Sequence, residues 1–455
     1  MRDRFGNDWS RTPGTYFWKG PHIARRVFFR HLASAVGGYF LMPTRPMETI
    51  AKASPNTISA AKNVIFIMMQ GGPSHTDTFD LKQGSWTPSF MAPATFGGVA
   101  FPQGLMPNIA NHLDSVAFVR SGSAWAAVHG LGQTWVQIGR NPTNSLARIA
   151  PHIGSVVALE LSPSNTNQSL PAFVSLNTGT GPDQGYFAPQ YGPFYINPNG
   201  GGLTNAAHPN GNVVFDRRYG ILQSIDAETK ESGALGSAVS QEAEFSTGAR
   251  LMMYNGGIDK VFNFDQTTRN SYGNTGFGNA CITARNLFRA NLGTRFVQIT
   301  IGSWDHHVNI YAPNGPLQSL AKQYDAGLGQ LLADLKSDGT LDQTLIVSMG
   351  EFGRTVGPPT ASAGRDHFLI ESIMMAGAGI KGPRTIGATD ATGAKIIDPG
   401  WSRNREVRPE DIEATIYSAL GIDWTKQIAS PLGRSFEYVP SSAQDLYGPI
   451  NEIWS

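Results

Sequence analysis

Cysteine is nearly missing from this chain: one residue, Cys281, in 455. A single thiol excludes an internal disulfide and any metal site built from a cysteine cluster. Cys281 falls in an apolar-periodic stretch, which reads as a buried core position rather than a nucleophile. Charge is scarce as well. Asp, Glu, Lys and Arg make up 15% of the residues, against roughly 25% in an average soluble protein. The formal net charge is +1, so no strong field favours nucleic acid or an acidic partner. Long apolar runs are missing too; none approaches the about 20 residues that span a bilayer. Glycine (52) and proline (29) are plentiful, the composition of a protein with much of its surface in loops.

The N-terminal region carries an address. Arg25-Arg26-Val27-Phe28-Phe29 leads into a mildly apolar run from Leu32 to Met42, and Ala51-Lys52-Ala53 follows with the spacing of a cleavage site. A charged start, a short apolar middle and a small-residue end describe an export signal. The paired arginines resemble a twin-arginine signal, which carries proteins that fold before export. Residues 1–62 are read as this signal and a linker, residues 63–440 as the folded domain and residues 441–455 as a tail. The chain is then periplasmic or extracellular. The alternative is an amphipathic N-terminal helix that is retained, which would allow membrane association.

Along the domain, Asn63 to Met69 is a continuous apolar run ending in Gly71-Gly72-Pro73, which suits a central parallel strand buried on both faces. Val116 to Val119 is a shorter run ending at Arg120-Ser121-Gly122. Residues 157–215 are rich in Ser, Asn, Pro, Gly and aromatics, the character of a long surface insertion with one strand candidate at Ala172 to Leu176. Its Tyr186, Phe187, Tyr191, Phe194 and Tyr195 suit either a protein-partner surface or a satellite core. Residues 216–262 look mainly helical. Beyond them a helix at Asn279 to Asn291, a strand at Arg295 to Ile301, leucines at helical spacing from Leu317 to Leu335, strands at Thr344 to Met349 and Ser372 to Ala376, and a helix from Pro409 alternate regularly. That alternation predicts an α/β fold with a mostly parallel central sheet and helices on both faces.

In open parallel sheets, ligands bind beyond the carboxyl ends of the strands. The strand candidates run into Gln70-Gly71-Gly72-Pro73-Ser74-His75-Thr76-Asp77, into Gly302-Ser303-Trp304-Asp305-His306-His307 and into Gly350-Glu351-Phe352-Gly353-Arg354, with Gly364-Arg365-Asp366-His367 just before the next strand. Each supplies a carboxylate and most supply imidazole. Mixed nitrogen and oxygen ligands suit zinc or manganese better than magnesium.

GGPSHTDTFD, GSWDHH, GEFGRT and GRDHF, in that order, closely resemble the bacterial family called domain of unknown function 1501, which is grouped with alkaline phosphatases and sulfatases. The likeness runs from about Asn63 to Leu432 and implies an alkaline phosphatase-like fold. In that superfamily two metal ions bind a phosphate or sulfate ester while a side chain attacks. Carried over by motif, Asp305, His307, Glu351, Asp366 and His367 are metal-site residues, and His306 is solvent-facing or behind the ligands. Gln70 stands where the superfamily usually has a ligand aspartate, and His75 or Asp77 could substitute for it. Ser121 and Ser123 lie where a nucleophile is expected, although they could equally be caps. Arg354 could meet an anionic ester oxygen or form a structural salt bridge. His129, in HGLGQTWVQIGR, is either a ligand or a tie between loop and core. The sulfatase-type Cys-x-Pro-x-Arg does not occur. The resemblance therefore implies either an exported metal-dependent hydrolase acting on a small ester or an anionic polymer, or a non-catalytic binding or structural subunit on the same fold.

Overall fold

A computed structural model of the chain describes residues 55–455 apart from 145–148, 163–167, 180, 205, 233–245, 247, 251, 430–434 and 441–443. The export signal read from the sequence lies outside the described residues up to position 54.

The architecture is α/β. Eight strands form the central sheet: β1 Asn63–Met69, β2 Val116–Ser123, β3 Phe173–Leu176, β4 Phe194–Ile196, β5 Phe296–Ile301, β6 Thr344–Met349, β7 Ile370–Gly377 and β8 Arg384–Ile386. Their order across the sheet is β8-β2-β7-β6-β1-β5-β3-β4. Only β7 runs antiparallel to its neighbours; the other pairings are parallel. β1 sits in the middle, with Val64 beside Phe296 on one side and Leu345 on the other. Its side chains alternate between two cores, as a strand of period two must when helices cover both faces. Ile65, Ile67 and Met69 join one apolar cluster, and Val64, Phe66 and Met68 join the other.

Five helices matter for the site and its support: α1 His129–Ile138, α2 Ile153–Leu161, α3 Gly276–Ala290, α4 Pro316–Ser337 and α5 Pro409–Ala419. Helices α3 and α4 pack on the face of Ile65 and Ile67, through Cys281, Leu287, Tyr324 and Leu328 among others. Cys281 is buried in this layer, where loss of hydration pushes its thiol well above its usual range. Helices α1, α2 and α5 cover the opposite face through Val136, Val157 and Ile416. Thr275 caps α3 by accepting from Gly278 N, and Pro316 opens α4 where a missing N–H costs nothing.

Residues 157–215 do more than loop over the surface. They hold the end of α2 and supply β3 and β4 at the sheet edge. Tyr186, Phe187 and Tyr191 pack against one core and Phe194 against the other, while Tyr195 is exposed. The C-terminal residues likewise join the core, with Ile450 and Ile453 fully buried. No helix among the described residues is long and apolar enough to cross a membrane.

Candidate metal centre

The loops beyond the carboxyl ends of the strands converge on one point. β1 runs into Gly71 and Gly72, β5 into residues 302–308, and β6 into Gly350 and Glu351; β2 leads through residues 124–128 to His129, the first residue of α1. The loops approach this closely because glycine stands where they cross. A Cβ on Gly71, whose φ is +112°, would lie 2.6 Å from Asp305 N. A Cβ on Gly364 would overlap the His307 carbonyl.

At that point His129, Asp305, His307 and His367 each bring one ligand atom within 4.8 Å of all the others. Asp305 Oδ1 lies 2.9 Å from His307 Nε2, 3.3 Å from His129 Nε2 and 3.6 Å from His367 Nε2. The Nε2 atoms of His307 and His367 are 3.2 Å apart. A tetrahedral ion with bonds of about 2.0–2.1 Å separates its donors by about 3.3 Å. The spacing therefore fits a divalent ion of that size.

The second nitrogen of each imidazole is held from behind. His129 Nδ1 is 2.7 Å from Glu351 Oε1, His307 Nδ1 is 2.9 Å from Asp366 Oδ1, and His367 Nδ1 is 2.9 Å from the Ala127 carbonyl. Carboxylate and carbonyl oxygens only accept, so Nδ1 carries the proton in all three rings and Nε2 turns its lone pair inward. His129 Nε2 is buried and finds no hydrogen-bond partner among the described residues. A buried lone pair without a donor is what an ion would satisfy. The centre is open to solvent on one side: the Asp305 side chain is 43% exposed, whereas that of Glu351 is fully buried. Partial burial resists ionisation of Asp305, but the hydrogen bond and charge of Arg354 outweigh it and hold the carboxyl below its usual range.

The family described as "Protein of unknown function (DUF1501)" matches residues 61–446 of the chain. The chain belongs to that family. Comparison with curated proteins finds no match. Among solved structures, the chain is similar to the lipoteichoic acid synthase LtaP from Listeria monocytogenes, at 11% identity and a TM-score of 0.38, covering 82% of this chain and 75% of that one. It is also similar to the PsFucS1 sulfatase from Pseudoalteromonas sp., at 12% identity and a TM-score of 0.39 over 80% and 68% of the two chains. A protein in the alkaline phosphatase superfamily from Vibrio parahaemolyticus gives 11% identity and a TM-score of 0.39 over 84% and 72%. At such identities and scores these likenesses say nothing about the substrate of this DUF1501 protein.

Of the residues singled out in the sequence, Asp305, His307 and His367 meet at the centre, and His129 completes the set. Glu351 and Asp366 stand behind histidines. Glu351 also accepts from Gly71 N at 3.0 and 3.1 Å and from Gln133 Nε2 at 3.0 Å. Gln70 Nε2 donates to Gln133 Oε1 at 3.0 Å, so Gln70 ends a relay of amides that runs through Gln133 to Glu351. Gln133 was not singled out from the sequence. Its signal was the HxxxQ spacing, which puts Gln133 one turn beyond His129 on the same helix face.

The other candidates lie apart. Asp77 forms a buried ion pair with Arg365, 2.6 Å from Oδ2 to Nε, and accepts from Tyr311 Oη at 2.6 Å. His75 Nε2 donates to the Gly393 carbonyl at 3.0 Å, and burial lowers its affinity for a proton. Ser121 Oγ donates to the Pro399 carbonyl at 2.8 Å, and Ser123 Oγ accepts from Arg408 Nη1 at 3.1 Å. His306 is buried rather than solvent-facing, and burial followed by the charge of Arg354 pushes it down to about 4.

Arg354 is almost fully buried and has all five N–H groups committed. Nε donates to Gly72 O at 2.9 Å, Nη1 to Arg365 O at 3.1 Å and to His307 Nε2 at 3.3 Å, and Nη2 to Gly71 O and to Asp305 Oδ1 at 2.5 Å. It ties the loops after β1, β5 and β6 together around the ligand atoms.

Proposed function

We propose that this DUF1501 protein is a metal-dependent hydrolase of phosphate or sulfate esters. The observation that carries this reading is the convergence of three imidazole lone pairs and one carboxylate in a solvent-open site at the carboxyl ends of the strands. A bound divalent ion, zinc or manganese, would supply Lewis acidity and activate water.

The chain's own residues then have distinct tasks. Neutral imidazoles leave an ion's charge intact, and Asp305 offsets only one unit of it, so the site attracts an anionic ester. Glu351, Asp366 and the Ala127 carbonyl keep the three rings in the ligating tautomer. Arg354 Nη1 donates to the same His307 lone pair that an ion would take. Once that lone pair is used, this N–H is left for an ester oxygen. The hydroxyls of Ser121 and Ser123 are engaged elsewhere, so this reading uses water as the nucleophile.

A second reading has its own support. Four protein donors complete a tetrahedron, the pattern of closed structural sites, and Gln70 replaces the expected ligand aspartate. A non-catalytic binding or structural subunit would look this way. Export of the folded chain belongs to both readings and rests on the N-terminal sequence. Use of residues 157–215 to meet a protein partner belongs to the second reading and rests on the composition of that stretch.

The test is metal content by mass spectrometry on protein purified without chelator, beside the double variant Asp305→Ala/His307→Ala. Hydrolysis of p-nitrophenyl phosphate and p-nitrophenyl sulfate is assayed on the same preparations. The expected result is near-stoichiometric zinc or manganese, lost in the variant, with turnover that follows the metal. Folded wild-type protein that takes up no metal would sink the hydrolase reading. Stoichiometric metal without turnover of either ester would replace it with the second reading.

A further inference from the structure

Exposed apolar side chains stand on the segments that carry the histidines of the polar centre. Val128 is 61% exposed, Val308 58%, Leu369 40% and Trp125 38%. Val128 immediately precedes His129, Val308 follows His307, and Leu369 lies two residues past His367. The segments also touch. Ala124 N donates to the Leu369 carbonyl at 2.8 Å, and the Ala127 carbonyl accepts from His367 Nδ1 at 2.9 Å. Trp125 is fixed in place: its Nε1 donates to Glu410 at 3.0 Å, and its ring stacks at 5.9 Å from that of Trp135 and lies 3.9 Å from the Arg408 guanidinium carbon. A single exposed valine needs no explanation. Four exposed apolar side chains, each within four residues of His129, His307 or His367 along the chain, put apolar surface on the segments that carry the site.

We infer that the site selects esters whose organic half is apolar, an aryl or alkyl group, over esters of sugars and other polyols. The inference rests on the hydrolase reading and adds the half of the substrate that the ligand atoms do not specify. The anionic group is drawn to the positive centre, and the organic group attached to it then meets Val128, Leu369, Val308 and Trp125. A polyol there would lose water from its hydroxyls, and these four side chains offer no partners except the occupied indole N–H. An aryl or alkyl group instead removes apolar surface from water on both sides of the contact. Because Trp125 is held rigidly, little side-chain freedom is lost there on binding.

The test uses the full chain loaded with zinc and four non-hydrolysable anions: methylphosphonate, benzylphosphonate, methanesulfonate and phenylmethanesulfonate. Binding is measured by calorimetry on wild type and on the double variant Val128→Ser/Leu369→Ser, with zinc content checked in both. Both positions are exposed, and serine at 128 is a favourable cap for α1, so folding is expected to be kept. In whichever anion class binds, the benzyl member should bind at least about tenfold tighter than the methyl one. The variant should bring that ratio toward one without changing methyl affinity or zinc content. Equal affinity of benzyl and methyl members in wild type, or a preference that survives in the variant, overturns the apolar contact and leaves the anion site standing. If none of the four binds the zinc-loaded chain, the ester reading falls and this inference falls with it.

Discussion

At the scale of single residues, Glu351 is the informative case. A carboxylate placed just after a buried strand reads the same in sequence whether it binds an ion or stands behind a ligand. Asp305 is one side-chain carbon shorter and its Oδ1 reaches the imidazole nitrogens, while Glu351 is fully buried behind His129 and accepts from Gly71 N as well. The convergence of Asp305, His307 and His367 was therefore legible from strand-end placement and family motif, but which carboxylate joins them and which stands behind a histidine was not. Asp77 shows the same limit from another side, because its partner Arg365 lies in a distant motif and only folding brings the pair together. The substitution Glu351→Gln tests the supporting role. One of its two oxygens becomes an N–H donor facing Gly71 N, His129 or Gln133, so a buried hydrogen bond is lost and the His129 ring loosens. Zinc affinity, measured by competition with a chromogenic chelator, is expected to fall about 10- to 100-fold, with far-UV circular dichroism unchanged. Affinity within a factor of two of wild type in a folded variant would remove Glu351 from the centre's support.

At the scale of elements, mainly apolar runs marked β1, β5 and β6 almost to the residue, because strands buried on both faces have no polar side and only single buried polar residues such as Gln298 and Ser348 break the run. The direction of β7 was not legible. An apolar run reports burial, not polarity; the direction is set by the short pairing of Gly353–Arg354 with His367–Phe368, which keeps the connection from β6 at one end of the sheet. No crossover helix intervenes, so β7 returns antiparallel. β3 was legible as the short apolar run from Ala172 to Leu176, whereas β4 escaped for a different reason, being 3 residues long within a polar stretch. The helix layer of α1, α2 and α5 carries a pH dependence that can be derived with its sign. His152 caps α2: Nδ1 accepts from Gly154 N at 2.8 Å and Nε2 is 2.6 Å from Gln298 Oε1. Burial pushes this histidine down to about 3. The unfolded chain takes up the proton near 6.5 and the native one does not, so this contribution is full above 6.5 and is lost toward pH 3. Glu413 on α5 has the opposite sign. Burial raises it to about 8, and Oε2 has no hydrogen-bond partner among the described residues, as suits a protonated acid. The native state keeps a proton that the unfolded chain releases near 4.5, so stability falls as pH rises from there to about 8. Urea midpoints measured from pH 5 to 9 should decline less in Glu413→Gln than in wild type. Parallel curves for the two proteins would show that Glu413 ionises in the fold at its ordinary pKa.

At the scale of the whole molecule, the candidate centre joins parts of the chain that are far apart in sequence. His129 follows β2, Asp305 and His307 follow β5, His367 precedes β7, Glu351 follows β6, and Gly71 N, which holds Glu351, follows β1. These strands are neighbours in one sheet, so an ion held by the four ligands would couple five of its eight strands at their open end. Binding energy of this kind becomes stability of the whole fold. A ligand that binds only the native state at about 1,000 times its dissociation constant adds about 4 kcal/mol. Added zinc should therefore raise the melting midpoint of chelator-stripped wild type by several degrees and leave Asp305→Ala/His307→Ala unmoved. Hydrogen exchange in the same samples should slow in residues 124–133, 303–308 and 364–369. A midpoint that stays fixed while zinc binds stoichiometrically would mean that these loops open independently of the sheet. The ion would then order only the site, and exchange would slow in the loops while the strands kept their apo rates. Coupled and uncoupled binding thus give different patterns in one experiment, because the sheet either shares the ion's energy or does not.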